Sequence, residues 1–346
     1  MERIRWARWF ASVAVVSLIL VGCARSSGAT TAPTEAASAG TPASVAPGAS
    51  AAEPSAVAAA TCTGAGDKGD IKMMVNEWVG AAANVAVAQC LLQQMGYKVA
   101  NSTLAEEVAW QGFETGEVDV ILENWGHPDL EKKYIQHEKL AVDAGPMGVK
   151  GIIGWYVPKW MVDKYPDITD WNNFNKYADL FKTSESGDKG QFLGASPAFV
   201  QYDEALIANL NLNYKVVFSG SEAASITAFQ QAAKNQTPLI GYFYDPQWLL
   251  NEIELVQVKL PAWTEGCDKD LKKVACDYPA YTLNKIVRTE WMNTAGDAAT
   301  FIKNFNWTNA DQNSVADAIT NKSMKELDAA KVWIDANAAT WQKWMP

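Results

Sequence analysis

Ile71-Lys72-Met73-Met74-Val75 is followed by Asn76-Glu77-Trp78 and then by an alanine-rich run from Val79 to Met95 that stops at Gly96. The first stretch reads as a strand and the second as a helix ended by a glycine C-cap. Tyr97-Lys98-Val99 reads as a second strand, Leu104 to Glu114 as a second helix, and Val118-Asp119-Val120-Ile121-Leu122 as a third strand. A strand–helix–strand–helix–strand unit of this kind needs a mostly parallel sheet with helices on both faces. Beyond it, Gly148 to Val157 is strand-like. The alternation then restarts with Phe192-Leu193-Gly194, Ala205 to Leu210, Val216-Val217-Phe218, Glu222 to Lys234 and Leu239 to Phe243. From about Thr289 onward the pattern is chiefly helical. Two α/β units predict two lobes, and ligands of such sheets bind beyond the strand ends or between the lobes.

The 346 residues include 29 basic and 39 acidic side chains, a formal charge of −10, two histidines, five cysteines and fifteen tryptophans. A chain this long buries a sizeable core without a metal or a disulfide to help it fold. Its acidic balance lacks the basic footprint that nucleic acid requires. Two histidines leave little room for a histidine-rich metal site, so no metal or other cofactor is expected.

Arg3, Arg5 and Arg8 precede the apolar run Trp9 to Val21, which is short for a membrane span. Residues 1–22 therefore read as a signal peptide. Leu20-Val21-Gly22-Cys23 resembles the bacterial lipobox, which implies cleavage before Cys23 and a lipid on its sulfur; a plain signal peptide or a retained anchor is the alternative. Cleavage removes three arginines and Glu2 and leaves a charge of −12. Residues 24–60 are almost wholly Ala, Ser, Thr, Pro and Gly, a composition that cannot bury enough apolar area to fold. As a loose coil residues 24–60 span roughly 35 Å, and the lipid-anchored tether as a whole is taken as residues 23–66. Together these place the protein on the extracytoplasmic face of a bacterial cell membrane, held by a lipid.

That compartment permits disulfides. Cys267 and Cys276 flank a short Lys/Asp-rich loop, and Cys62 lies within reach of Cys90 on the first helix. Both pairings are expected, with free buried thiols as the alternative.

Five predicted strand ends carry aromatic residues: Trp78, Trp125, Trp155-Tyr156, Phe199 and Tyr244. Rings converging on rigid mounts suit a quaternary ammonium, which has no N–H to donate and is best held by ring faces. Adjacent strand residues point to opposite faces, so one of Trp155 and Tyr156 faces the site and the other the core. Trp110, Trp333 and Trp341 lie at helical spacing from other apolar residues and read as core; Trp248 reads as packing.

At this point the sequence resembles a known family. Val75-Asn76-Glu77-Trp78, Leu122-Glu123-Asn124-Trp125-Gly126-His127-Pro128, Gly151-Ile152-Ile153-Gly154-Trp155-Tyr156-Val157-Pro158, Gly194-Ala195-Ser196-Pro197-Ala198-Phe199 and Pro238-Leu239-Ile240-Gly241-Tyr242-Phe243-Tyr244-Asp245-Pro246-Gln247-Trp248 occur in the order of the glycine betaine/carnitine/choline substrate-binding proteins of ABC transporters. The resemblance covers about residues 67–346. It implies a type II periplasmic-binding-protein-like α/β fold, with two lobes joined by two crossovers and the ligand in the cleft. The lobes fall at 67–153 plus 279–346, and at 154–278. It also implies an ABC permease with a separate ATPase subunit as partner, and box residues at Trp125 and Tyr244, with Trp78 and either Trp155 or Tyr156 as further walls.

Phe199 stands where some members carry Trp, which makes that wall smaller; Val200 and Gln201 could still offer amides. His127 is either a contact for a ligand carboxylate or a solvated surface residue. Glu77, Glu123, Asp203 and Glu204 would add negative potential suited to choline, or are solvated. The alternatives to a quaternary ammonium receptor are a same-fold receptor for another small solute and a secreted sugar-binding hydrolase. Against an enzyme stands the absence of G-x-S-x-G, H-E-x-x-H and G-x-x-x-x-G-K-[ST] motifs.

Overall fold

The computed structural model describes residues 62–63 and 66–346. The expected signal peptide, Cys23 and the tether as far as Thr61 lie outside the described residues. Among those described, no helix is long and apolar enough to cross a membrane.

The first strand, β1 (Asp70–Val75), runs parallel to β2 (Lys98–Thr103) in a register that sets Asp70 opposite Lys98 and Val75 opposite Thr103. Between them lies helix α1 (Val79–Gln94), buried along most of its length because its alanines and valines leave no polar face. Helix α2 (Glu106–Thr115) ends at Gly116, in the left-handed conformation with φ 70°, and leads to β3 (Val120–Asn124) on the other side of β1. Trp110 and Phe113 of α2 pack with Met74, Ile121 and Tyr134 on one face of this triplet.

A second parallel triplet forms from β5 (Gly190–Gly194), β6 (Tyr214–Phe218) and β7 (Gly241–Asp245), in the order β7-β5-β6. Two long antiparallel strands join the triplets. β4 (Ala141–Pro158) pairs with β9 (Ala280–Arg288) up to Ile152 and then with β7 from Ile152 to Tyr156. β9 in turn pairs with β3. The full order is β2-β1-β3-β9-β4-β7-β5-β6, with the short β8 (Leu255–Gln257) on the far end of β4. The chain passes out of the first triplet along β4 and returns along β9. This is the mixed α/β architecture expected of a type II periplasmic-binding-protein fold.

Beyond β9 the chain is helical, and the helices Asn309–Thr320 and Glu326–Ala336 pack on α1. The structure pairs Cys62 with Cys90 and Cys267 with Cys276, with Cα–Cα distances of 4.4 and 6.3 Å.

Three segments differ from the sequence expectation. The second strand extends to Thr103 although its outer residues are exposed, because the edge of β1 supplies its ladder. The third begins at Val120 and runs to Asn124, so Glu123 and Asn124 belong to the strand rather than to the loop after it. β9 has no local alternation strong enough to announce it; it is a strand because it fills the gap between β3 and β4.

Asp119 fastens this junction. Its Oδ1 accepts from Arg288 Nε and Nη2 at 3.0 and 2.8 Å, its Oδ2 accepts from the Lys72 N–H at 2.9 Å, and its carbonyl accepts from the Arg288 N–H at 2.8 Å. Asp119→Ala removes these bonds and leaves the half-buried Arg288 guanidinium only its Glu290 partner at 2.7 Å, and should lower unfolding free energy by about 1–3 kcal/mol in urea titrations. A loss below about 0.5 kcal/mol would mean that the β3–β9 junction does not depend on this bracket.

Candidate ligand-binding site

Four aromatic rings come together where the two strand triplets meet. Trp78 sits between β1 and the first turn of α1, and Trp125 directly follows β3. Phe199 lies in the loop after β5, and Tyr244 on β7. Each ring is nearly perpendicular to the two beside it. Trp78 and Phe199 are 5.3 Å apart at 81°, Phe199 and Tyr244 6.0 Å at 83°, Tyr244 and Trp125 5.8 Å at 84°, and Trp125 and Trp78 6.4 Å at 85°.

These four rings, with Glu106, Ile153, Val200 and Tyr242, line a cavity of about 20 Å³, little more than the space of one water.

The rings are held from behind by carboxylates. Glu123 Oε1 accepts from both indoles, Trp78 Nε1 and Trp125 Nε1, each at 2.8 Å. Its Oε2 accepts from Asn84 on α1 and, at 3.3 Å, from Gln312 on the helix Asn309–Thr320. A side chain at Gly80 would stand 2.3 Å from Gln312 Nε2, so the glycine leaves the path to Glu123 open. Gly151 plays the same part for a wall: a Cβ there would lie 2.4 Å from the Trp125 ring. Burial pushes the Glu123 carboxyl up to about 7; the two indole donors oppose this, and the charges of Glu106 and Glu222 reinforce it.

Glu222 does the corresponding work on the other side. Its Oε1 accepts from the Tyr244 hydroxyl and from Gln247 Nε2, and its Oε2 accepts from the Val79 N–H at 2.8 Å. Helix α1 has no side-chain N-cap and no acid in its first turn. Glu222 supplies the missing acceptor from the second triplet's side of the molecule. Burial raises its carboxyl as well, against the pull of those three donors.

Glu106 lines the cavity with its side chain almost wholly buried. Its Oε1 accepts from the Trp125 N–H at 3.0 Å. Its Oε2 lies 3.1 Å from His127 Nε2, close enough for an ion pair though not aligned as a hydrogen bond. Burial lowers the imidazole pKa, but the Glu106 carboxylate, helped by Glu107 and Glu131, outweighs it and the net shift is upward.

The structure thus gathers Trp78, Trp125, Phe199 and Tyr244 and places the other candidates elsewhere. Neither Trp155 nor Tyr156 reaches the cavity, a correction to the expectation that one of them would. Trp155 packs in the second triplet against Phe192 at 4.4 Å and Phe174 at 6.0 Å, and its Nε1 donates to Asp203 at 2.7 Å. Tyr156 packs edge-on to Phe243. Both faces of β4 are covered here, so period-2 alternation selected a buried face but not the right one. Glu77 is exposed on the outer side of Trp78. Glu123 stands behind the rings rather than in the lining, and His127 is one residue further out, against Glu106. Asp203 is buried between Trp155 and Tyr278, and burial pushes it up to about 6; Glu204 is exposed.

Glu106, Glu222 and Tyr242 were not singled out for the site from sequence. The two acids open helices, where first-turn carboxylates are ordinary, and only tertiary contacts distinguish them.

The chain belongs to the OpuAC family, described as the substrate binding domain of ABC-type glycine betaine transport systems, whose family model matches residues 68–336. Its fold is similar to that of lactococcal OpuAC in a closed conformation complexed with glycine betaine, at 22% identity and TM-score 0.62 over 80% of this chain and 99% of that one. It is also similar to the glycine betaine/L-proline-binding protein ProX from Borrelia burgdorferi, at 18% identity and TM-score 0.64 over 80% and 97%. A choline-binding ABC transporter protein in complex with choline matches at 16% identity and TM-score 0.64 over 80% and 91%.

Because the Glu123 carboxyl is raised from 4.5 to about 7, the folded protein holds a proton there that the unfolded chain has lost. The resulting stability is complete below pH 4.5 and disappears as pH rises through 7. Urea unfolding between pH 4.5 and 7.5 should therefore show wild-type stability falling relative to Glu123→Gln, by on the order of 2 kcal/mol over the interval. Parallel pH profiles for the two proteins would contradict the upward shift.

Proposed function

We propose that this OpuAC-family protein is an extracytoplasmic solute receptor that captures a quaternary ammonium compound between Trp78, Trp125, Phe199 and Tyr244 and delivers it to an ABC permease energised by a separate ATPase subunit. The observation that carries this is the closed cycle of four rings, each nearly perpendicular to its two neighbours, around a small cavity. In a square of that side the centre lies roughly 4 Å from each ring, inside the ~6 Å reach of a cation–π contact. A trimethylammonium group has no N–H, so ring faces are its best partners, each contributing about 0.5–2 kcal/mol. Four such faces supply enough to hold a ligand of this size. The ligands in the similar structures, glycine betaine and choline, both carry this group.

In this proposal the lobes comprise residues 67–153 with 279–346, and 154–278. Trp78 and Trp125 come from the first, and Phe199 and Tyr244 from the second. A ligand touching all four rings draws the lobes together, and the Glu222–Val79 bond forms as they meet. The closed form is what the permease would recognise. No catalytic role is assigned. The lipobox-like Cys23 and the tether that follows would hold the receptor beside its permease while leaving the folded part free to move.

Calorimetric titration with choline, glycine betaine, carnitine and proline betaine should show saturable binding of at least one, with a change in tryptophan fluorescence. Silence in both measurements with all four compounds would refute the cage. Trp125→Ala should weaken binding roughly 10- to 100-fold, whereas Trp155→Phe should lower stability and leave affinity within about threefold. For the anchor, Cys23→Ser should move the protein from the membrane fraction of the host cell to the soluble one; unchanged fractionation would rule out lipidation at Cys23.

A further inference from the structure

Building on that function, we propose that the cage selects quaternary ammonium ions with a net positive charge, of the choline type, over zwitterionic betaines. The four ring walls are equally suited to both, because both carry a trimethylammonium group. Discrimination has to come from what surrounds the rest of the ligand.

Two observations point the same way. First, the side-chain donors in the lining are already engaged by the protein. The Trp78 and Trp125 indoles donate to Glu123, the Tyr244 hydroxyl donates to Glu222, and the Tyr242 hydroxyl donates to the Val200 carbonyl at 3.1 Å. A ligand carboxylate would therefore depend on backbone N–H groups such as that of Val200, which carry no charge to offset its own. A buried carboxylate without a charged or well-aligned donor set is strongly disfavoured.

Second, the ionisable groups around the cavity are mostly acids. Glu106, Glu123 and Glu222 are all buried around the ring cycle. The first lines the cavity itself, while the other two grip its walls. They are close enough for Glu106 and Glu222 to raise the Glu123 carboxyl through space. Neither lysine nor arginine lines the cavity among the described residues. His127 is the nearby group able to carry positive charge, and at 3.1 Å from Glu106 it balances at most one of the three.

Bringing in a cation makes it less costly for these carboxyls to ionise. A zwitterion adds no net charge, and it sets its carboxylate against Glu106. The Glu106 carboxylate has acceptor capacity left beside the Trp125 N–H and so can take the hydroxyl hydrogen of an alcohol.

The test is titration of the full-length protein with choline, tetramethylammonium and glycine betaine at one pH and salt concentration. Choline and tetramethylammonium should bind, and choline should bind roughly tenfold or more tightly than glycine betaine. Glycine betaine binding as tightly as choline, or tighter, overturns the selectivity while leaving the cage intact. Failure of all three to bind overturns the cage and the selectivity together. Glu106→Gln supplies a second readout: the choline-to-betaine affinity ratio should fall severalfold. A merely structural lesion would weaken both ligands alike, so an unchanged ratio in this variant would remove Glu106 as the source of discrimination.

Discussion

One buried carboxylate, that of Glu123, fixes two of the four ring walls, and much of the surrounding sequence answers to it. A carboxylate removed from water is tolerated only when its lone pairs are filled. Glu123 has four acceptor positions and four donors: two indoles and two side-chain amides. Those donors come from the β1–α1 junction, from α1, from the residue after β3 and from the C-terminal helix Asn309–Thr320. The first triplet and the helices packed on it are thus tied at a single point, and the two indole planes cannot turn without breaking it. Gly80 is small because Gln312 must pass, and Gly151 because Trp125 must lie flat.

The other two walls are organised by Glu222 in a different way. Its partners lie on both sides of the molecule: Tyr244 and Gln247 from the second triplet's side, the Val79 N–H from the first. A helix that lacks its own N-cap ends with exposed N–H groups and a partial positive charge. Here that deficit faces a carboxylate from across the cleft. On the proposed function the contact forms only when both sides are in register, so completing the cap of α1 and completing the ring cycle would be the same event. On the proposed function, ligand affinity and closure are coupled through this residue without its touching the ligand.

How much of this could be seen in the sequence depends on the range of the interactions involved. The strands and helices of the first triplet are visible because their periodicity is local, and Trp78, Trp125, Phe199 and Tyr244 stand out because strand ends in parallel sheets converge on one edge. Trp155 and Tyr156 satisfy the same rule, but β4 is long and covered on both faces, so alternation along it does not tell the cavity from the core of the second triplet. β9 is legible only as the partner that β3 and β4 both lack. Glu106 and Glu222 are hidden for a subtler reason: at the start of a helix an acid already has a sufficient local explanation. Their second role rests on residues distant in the chain, Trp125 and His127 for one, Val79 and Tyr244 for the other.

The placement of charge also bears on what kind of cation such a cage distinguishes. A carboxylate in direct contact with a ligand favours any small ion that can strip its water, metal ions and protonated amines included. Glu123 and Glu222 instead grip the walls from outside the lining, with an indole or a phenol between them and the cavity. Their potential reaches the cavity while their oxygens do not. A strongly hydrated ion would lose its water to face mainly rings, with Glu106 the one carboxylate in the lining. A quaternary ammonium loses little hydration, gains four ring faces, and experiences the same negative potential. On the proposed function, carboxylates that work through aromatic rings favour a cation for being large and weakly hydrated as well as for being charged, and Glu106, the acid within the lining, would be left to read the remainder of the ligand.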